Sequence, residues 1–95
     1  MDEAVSQYYV YILECGDGSL YTGWTNHLEH RVALHAAGKG AKYTRSRLPV
    51  KLVYQEVFES ATEARKREAQ LKQCTRQQKL ALISILRAGN GLLDG

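Results

Sequence analysis

Apolar residues fall into two periods along this chain, and each period predicts a different element. "YYVYILEC" (8–15) is β-branched and aromatic and predicts a strand. "SLYTGWT" (19–25) predicts the return strand, and Gly-Asp-Gly between them (16–18) is a hairpin turn signal. Both runs are apolar on successive positions, so helices are expected on both faces of the sheet. "VKLVYQEVF" (50–58) alternates around Leu52, Tyr54 and Val57 and predicts a third strand.

Helical spacing takes over elsewhere. "TNHLEHRVALHAA" (25–37) predicts a helix capped by Thr25 or Asn26, with Gly38 just past its end. "GKGAKYTRSRLP" (38–49) predicts a loop, long for a small domain, and such loops often carry function. Ser60 and Glu63 have capping-box spacing and open a helix to about Cys74. Thr75 and Gln78 repeat the box, and "KLALISILRA" (79–88) predicts a last helix ended by Gly89. The expected fold is α/β (α+β): a small three-stranded antiparallel sheet flanked by helices, in the order β-β-α-β-α-α. At 95 residues it forms one domain, with a core over about 8–88 and loose termini.

Composition narrows the class. Apolar residues make up 44% and charged residues 24%, which is globular rather than disordered. A net charge of +3 favours an anionic partner only slightly. Cys15 and Cys74 form no C-x-x-C pair and read as reduced thiols. The acidic start "MDEAVSQ" has no apolar segment behind a basic one, and no run is long enough to span a membrane. The expected location is the cytoplasm, with no membrane partner.

Four features carry candidate chemistry. Glu68 falls inside the helical stripe Ala61, Ala64, Leu71. A carboxylate there needs a cation, hydrogen bonds or a metal, and a rim glutamate paired with an arginine satisfies the same spacing. His27, Arg31 and His35 lie at i, i+4, i+8 and form one polar stripe, either a solvated face or a phosphate and proton-transfer face. Lys39, Lys42, Arg45 and Arg47 crowd the long loop around Tyr43, with no acidic residue from His30 to Gln55. That pattern suits a nucleic-acid backbone as well as an ordinary exposed loop. Tyr9 and Tyr11 share one strand face, and Tyr21 and Gly23 share a face of the partner strand. A glycine inside a strand marks close approach by another group; cross-strand aromatic packing is the alternative. No spacing of histidines and cysteines matches a zinc site.

Taken together, these segments resemble the GIY-YIG nuclease superfamily. "YVY" (9–11) and "YTG" (21–23) resemble its two half-motifs, "NHLEHRVALH" (26–35) its arginine segment, and "EARKREAQLK" (63–72) its metal-binding glutamate segment. "GKGAKYTR" (38–45) and "KLALI" (79–83) resemble the small stand-alone UPF0213 (YhbQ-like) branch. The likeness runs from about Tyr8 to Leu86. It departs at Tyr9, where the family has Gly, at Thr22, where Ile is usual, and at Cys74, where relatives tend to have Trp.

The resemblance implies roles. Tyr11, Tyr21, Arg31, His35 and Glu68 would be catalytic, with Glu68 the metal ligand and Mg²⁺ (or Mn²⁺) the cofactor. Asn90 falls where the family has a late asparagine, and Tyr9 is expected to pack. The implied activity is metal-dependent hydrolysis of phosphodiester bonds in nucleic acid, with DNA the expected form. Lys39, Lys42, Arg45 and Arg47 would hold the backbone. Larger relatives carry a separate DNA-binding domain, so here specificity is expected to be low or supplied by a protein partner. Tyr11, with an ordinary phenol pKa near ~10, needs either nearby cations to lower it or a neighbour to take its proton. Two other classes fit less: a non-catalytic nucleic-acid-binding module and a protein–protein adaptor using the last helix.

Overall fold

A computed structural model describes residues 7–94, with side chains described through residue 88. The elements are β1 (Tyr8–Glu14), β2 (Leu20–Thr25), α1 (Leu28–Ala36), α2 (Lys42–Arg45), β3 (Lys51–Phe58), α3 (Ala61–Lys72) and α4 (Arg76–Asp94). The sheet is antiparallel in the order β2-β1-β3, so the first strand is its centre. The fold is the α+β arrangement expected, with one added helical turn, α2, inside the long loop.

Central placement explains the composition of β1. Val10, Tyr11, Ile12 and Leu13 are all buried, so successive residues face a covered surface on either side of the sheet. On one face Val10 and Ile12 join Tyr54, Ala64, Leu71 and Ile83 in the core beneath α3 and α4. Burying each large aliphatic side chain here contributes about 2 kcal/mol. On the other face lie Tyr9, Tyr11 and Leu13, paired with Thr25, Gly23 and Tyr21 of β2. There α1 delivers His35 to Tyr11.

The third strand departs from simple alternation. Ile12 pairs with Tyr54 but Leu13 pairs with Leu52, so Val53 is an extra residue at an irregularity in the ladder. A bulge of this kind shifts the side-chain phase on its strand. Tyr54 is buried, whereas Leu52 and Val57 are exposed, at 37% and 55%. Of the three residues around which the strand alternates, only Tyr54 is thus a core residue. Glu56 takes a place on the core side opposite Val10. Its charge is met by Arg67 of α3, with Nε 3.0 Å from Oε1 and Nη2 3.0 Å from Oε2, and by the Tyr54 hydroxyl, which donates to Oε2. A forked arginine pair fixes orientation as well as charge, and it fastens α3 to β3.

Helix ends follow local chemistry. Ser60 Oγ accepts from Glu63 N at 3.0 Å. The Thr75–Gln78 box closes both ways: Gln78 N donates to Thr75 Oγ1 at 3.1 Å, and Thr75 N donates to Gln78 Oε1 at 2.9 Å. Gly38 follows the end of α1 at φ +77°, and Lys39 N reaches back to Leu34 O at 2.9 Å while Gly38 N reaches His35 O at 3.0 Å. This is the Schellman pattern that a left-handed glycine permits. The start of α1 differs from expectation. His27 is the N-cap and makes no capping bond, while Thr25 Oγ1 accepts from His27 N at 3.0 Å in a turn that leads into the helix. Nor does Gly89 end α4, which runs from Arg76 to Asp94. A glycine inside a helix costs only about 1 kcal/mol relative to alanine and is no stop by itself. Among the described residues no helix is long and apolar enough to cross a membrane.

Thr22 faces the interior, 3% exposed, and its Oγ1 has no hydrogen-bond partner among the described residues. A buried hydroxyl without a partner is destabilising relative to an apolar group of the same shape. Thr22→Val is expected to stabilise the fold by about 1 kcal/mol, read as a higher urea midpoint with unchanged slope.

Candidate active site

The site grows from the register of the hairpin. Tyr11 stands directly across from Gly23. A Cβ at Gly23 would lie 2.6 Å from the Tyr11 hydroxyl oxygen and 2.7 Å from ring carbon Cζ, so the phenol occupies space that only glycine leaves. The strand glycine is thus a seat for Tyr11. Tyr21 sits beside it, ring centroids 6.4 Å apart.

His35 completes the cluster from α1. It is 1% exposed, and Tyr11 is 2% exposed. Tyr11 Oη and His35 Nε2 are 3.0 Å apart. On the other side of the ring, Nδ1 lies 2.8 Å from Thr44 Oγ1, and Thr44 is itself fully buried. The polar stripe of the first helix is therefore not a uniform face. His27 and Arg31 are exposed, and His35 turns under the sheet surface.

The loop after α1 folds back over this cluster. Tyr43 stacks on Tyr21 with centroids 5.9 Å apart and planes 29° apart. The Arg47 guanidinium lies over the Tyr43 ring, 3.9 Å from its centroid. Arg47 also donates to Tyr43 O at 2.9 Å and pairs with Asp17 of the hairpin turn at 3.2 Å. Of the four loop cations, Arg47 is thereby committed to bracing the loop, while Lys39, Lys42 and Arg45 are exposed.

Electrostatics sets the proton chemistry. Burial pushes the Tyr11 hydroxyl well above the usual phenol range. Tyr21 and Glu68 push it the same way, and Arg31 opposes them. Tyr11 is thus held as a neutral phenol at ordinary pH, with Arg31 the one charge that pulls the other way. A neighbour to take its proton is at hand, because burial, with a further push from Arg31, holds His35 below its ordinary value and keeps it a neutral base. Arg31 and Glu68 reach Tyr11 through charge; neither makes a hydrogen bond to it among the described residues.

Glu68 is partly buried, its side chain 19% exposed, and pairs with Lys72 one turn on at 3.1 Å. It lines a shallow depression with Thr62, Arg65, Lys66 and Ala69. The partner at this position is a lysine, not the arginine that a rim glutamate was expected to find. Among the described residues no three His, Cys, Asp or Glu side chains gather into a metal cage. The side chain of Asn90 lies outside the described residues.

The family model of the GIY-YIG catalytic domain matches residues 7–81. The chain belongs to the GIY-YIG family. Its relatives place it in the UPF0213 branch. It is 57% identical to a UPF0213 protein of Staphylococcus haemolyticus over 83% of this chain and 96% of that one. It is 64% identical to one of Clostridium perfringens over 80% and 82%. Among solved structures, a UPF0213 protein of Bacillus halodurans is similar at a TM-score of 0.55 and 49% identity, covering 83% of this chain and 84% of that one. A protein of E. faecalis is similar at a TM-score of 0.59 and 42% identity, covering 86% and 88%. In this GIY-YIG chain the two half-motif segments are the paired strands β1 and β2.

Sequence reasoning missed Thr44 and Gly40. A threonine in a basic loop gives no sign of burial, and the only available signal was Gly40 placed five residues after His35. The fit of Tyr11 over Gly23 is tested by Gly23→Ala. The substitution is expected to cost about 1–3 kcal/mol in urea unfolding, the usual range for overpacking, and to shift the Tyr11 ring resonances.

Proposed function

We propose that this domain hydrolyses phosphodiester bonds in nucleic acid, DNA in the first instance, with one Mg²⁺ (or Mn²⁺). The observation that carries the reading is the buried Tyr11–His35 pair with Arg31 and Glu68 both acting on its hydroxyl. A binding module needs no phenol aimed at a neutral histidine beneath its surface.

Metal chemistry is tested by the donor set. A lone carboxylate among Arg65, Lys66 and Lys72 does not suit zinc, which takes three or four nitrogen and sulfur ligands. It does suit a hard cation that keeps most of its waters and borrows phosphate oxygens from the substrate. Glu68 would hold it, and Lys72, joined to Glu68 only by a partly exposed i,i+4 pair, gives way at little cost. Such an ion supplies Lewis-acid stabilisation of charge on the phosphate.

The chain's own groups do the rest. Tyr11 takes a proton from the attacking water as its own proton passes to His35 Nε2. The water oxygen bonds to phosphorus, the bond to the departing ester oxygen breaks, and the proton returns through Tyr11 to that oxygen. Arg31 faces the charge that grows on the phosphate. Tyr21 shapes the site beside Tyr11. His35, bonded at both ring nitrogens and covered from solvent, acts through Tyr11 rather than on the phosphate. Lys39, Lys42 and Arg45 hold the backbone by charge, which positions a strand without reading its sequence.

Cleavage of branched, single-stranded and duplex DNA and of RNA in Mg²⁺ is the direct test. Wild type is expected to cut at least one, and Glu68→Ala to lose about 100-fold or more, as removal of several kcal/mol of charge stabilisation requires. Equal rates would remove Glu68 from the mechanism. Salt-sensitive binding with no cleavage would leave a binding module instead.

The pH profile follows from His35. Its conjugate acid forms only below its lowered value, itself under 6.5, and the protonated ring cannot accept from Tyr11. Rates measured from about pH 5 to about pH 8 are expected to fall only on the acid side of 6.5. His35→Phe is expected to be slow throughout and to lack this acid limb.

A further inference from the structure

We infer that the segment Gly40–Thr44 is a seat that holds His35 as the Nδ1–H tautomer, and that Thr44 is a positioning residue for the Tyr11–His35 pair. Its catalytic consequence rests on the phosphodiesterase reading above; the seat itself does not.

Hydrogen-bond bookkeeping carries the argument. Thr44 Oγ1 lies 3.0 Å from the backbone oxygen of Ala41, which can only accept. A threonine one helical turn past a carbonyl commonly donates to it in this way. The hydroxyl proton is then committed, and the lone pairs of Oγ1 are what face His35 Nδ1 at 2.8 Å. Nδ1 must therefore carry the proton. The Ala41 N–H also points at Nδ1, at 3.4 Å, and this long contact is the weaker of the two. With Nδ1 protonated, Nε2 is a bare lone pair 3.0 Å from the Tyr11 hydroxyl, the form that can take its proton.

Shape reinforces the chemistry. A Cβ at Gly40 would lie 2.7 Å from His35 Cγ and closer still to Nδ1, so the loop backbone lies directly against the imidazole. Thr44 and His35 are both inaccessible, at 0% and 1% exposure, and water does not substitute for either partner. The outer wall is the Tyr21–Tyr43–Arg47 stack. The titratable and charged groups facing the pair are Tyr11 on β1, Tyr21 on β2, Arg31 on α1 and, acting on Tyr11, Glu68 on α3. None of them contacts Nδ1, which leaves Thr44 as the group that sets the tautomer. When Nε2 takes the Tyr11 proton, the ring becomes an imidazolium whose Nδ1–H is already bonded to Thr44, so no rearrangement accompanies the transfer.

The test pairs a spectroscopic readout with a kinetic one. Ring ¹⁵N shifts of His35 are measured in wild type, Thr44→Ser and Thr44→Val, alongside kcat and KM for Mg²⁺-dependent cleavage. Wild type and Thr44→Ser are expected to show Nδ1 protonated and Nε2 bare. Thr44→Val is expected to populate the other tautomer and to lower kcat by about 10- to 100-fold, the range for orienting partners of a working histidine, with KM unchanged and most of the rate restored in Thr44→Ser. An Nε2–H tautomer in wild type overturns the inference, as does a Thr44→Val chain with unaltered shifts and kcat. The wild-type spectrum needs no variant, so it decides the question even if Thr44→Val fails to fold. If wild type cuts no nucleic acid, the phosphodiesterase reading fails while the ¹⁵N shifts still decide the seat.

Discussion

The 3.0 Å contact between Tyr11 Oη and His35 Nε2 constrains more of this molecule than any other polar contact. It joins the central strand to the first helix across a covered surface, where a mismatch of donor and acceptor would leave two polar atoms orphaned. To make it, Tyr11 needs the space over Gly23, α1 must end where His35 turns inward, and the following loop must return to close the ring from below. Strand pairing, helix length and loop path are thus all fixed by the same few ångströms.

Helix α3 on the core side holds two opposite commitments. Arg67 reaches inward along β3 to a glutamate on the core side of the sheet, and the next residue, Glu68, opens onto a depression flanked by cations. The forked Arg67–Glu56 pair fixes how α3 lies on the sheet. It thereby fixes where Glu68 stands relative to Tyr11, so a structural ion pair determines the placement of a neighbouring carboxylate.

Much of this was legible in the sequence because it is local. The hairpin signal, the Ser60 cap, the Thr75–Gln78 box and the glycine at the end of α1 depend on residues within a few positions of each other, and all appear as expected. Gly23 was legible as a notch because a glycine interrupting a strand has few other reasons to be there. What failed depended on distance. The extra residue at Val53 is set by how β3 meets β1, and the alternation around Leu52, Tyr54 and Val57 gave no sign of it. The continuation of α4 past Gly89 depends on the helix's own hydrogen bonds, which outweigh one weak former. Burial of His35 and Thr44 follows from the loop folding back, which no period in the sequence encodes. Arg31 and Glu68 stood out by their helical spacing alone, but only the pattern of a whole family joined them to the tyrosines.

The stack of Tyr21, Tyr43 and Arg47 has a consequence for what the loop can present. The Tyr43 ring packs against a phenol and under a guanidinium. The two neighbours hold the ring in one orientation, and 38% of the residue stays open to solvent. What the loop leaves open is part of one ring and the cations Lys39, Lys42 and Arg45, a surface defined by charge more than by shape.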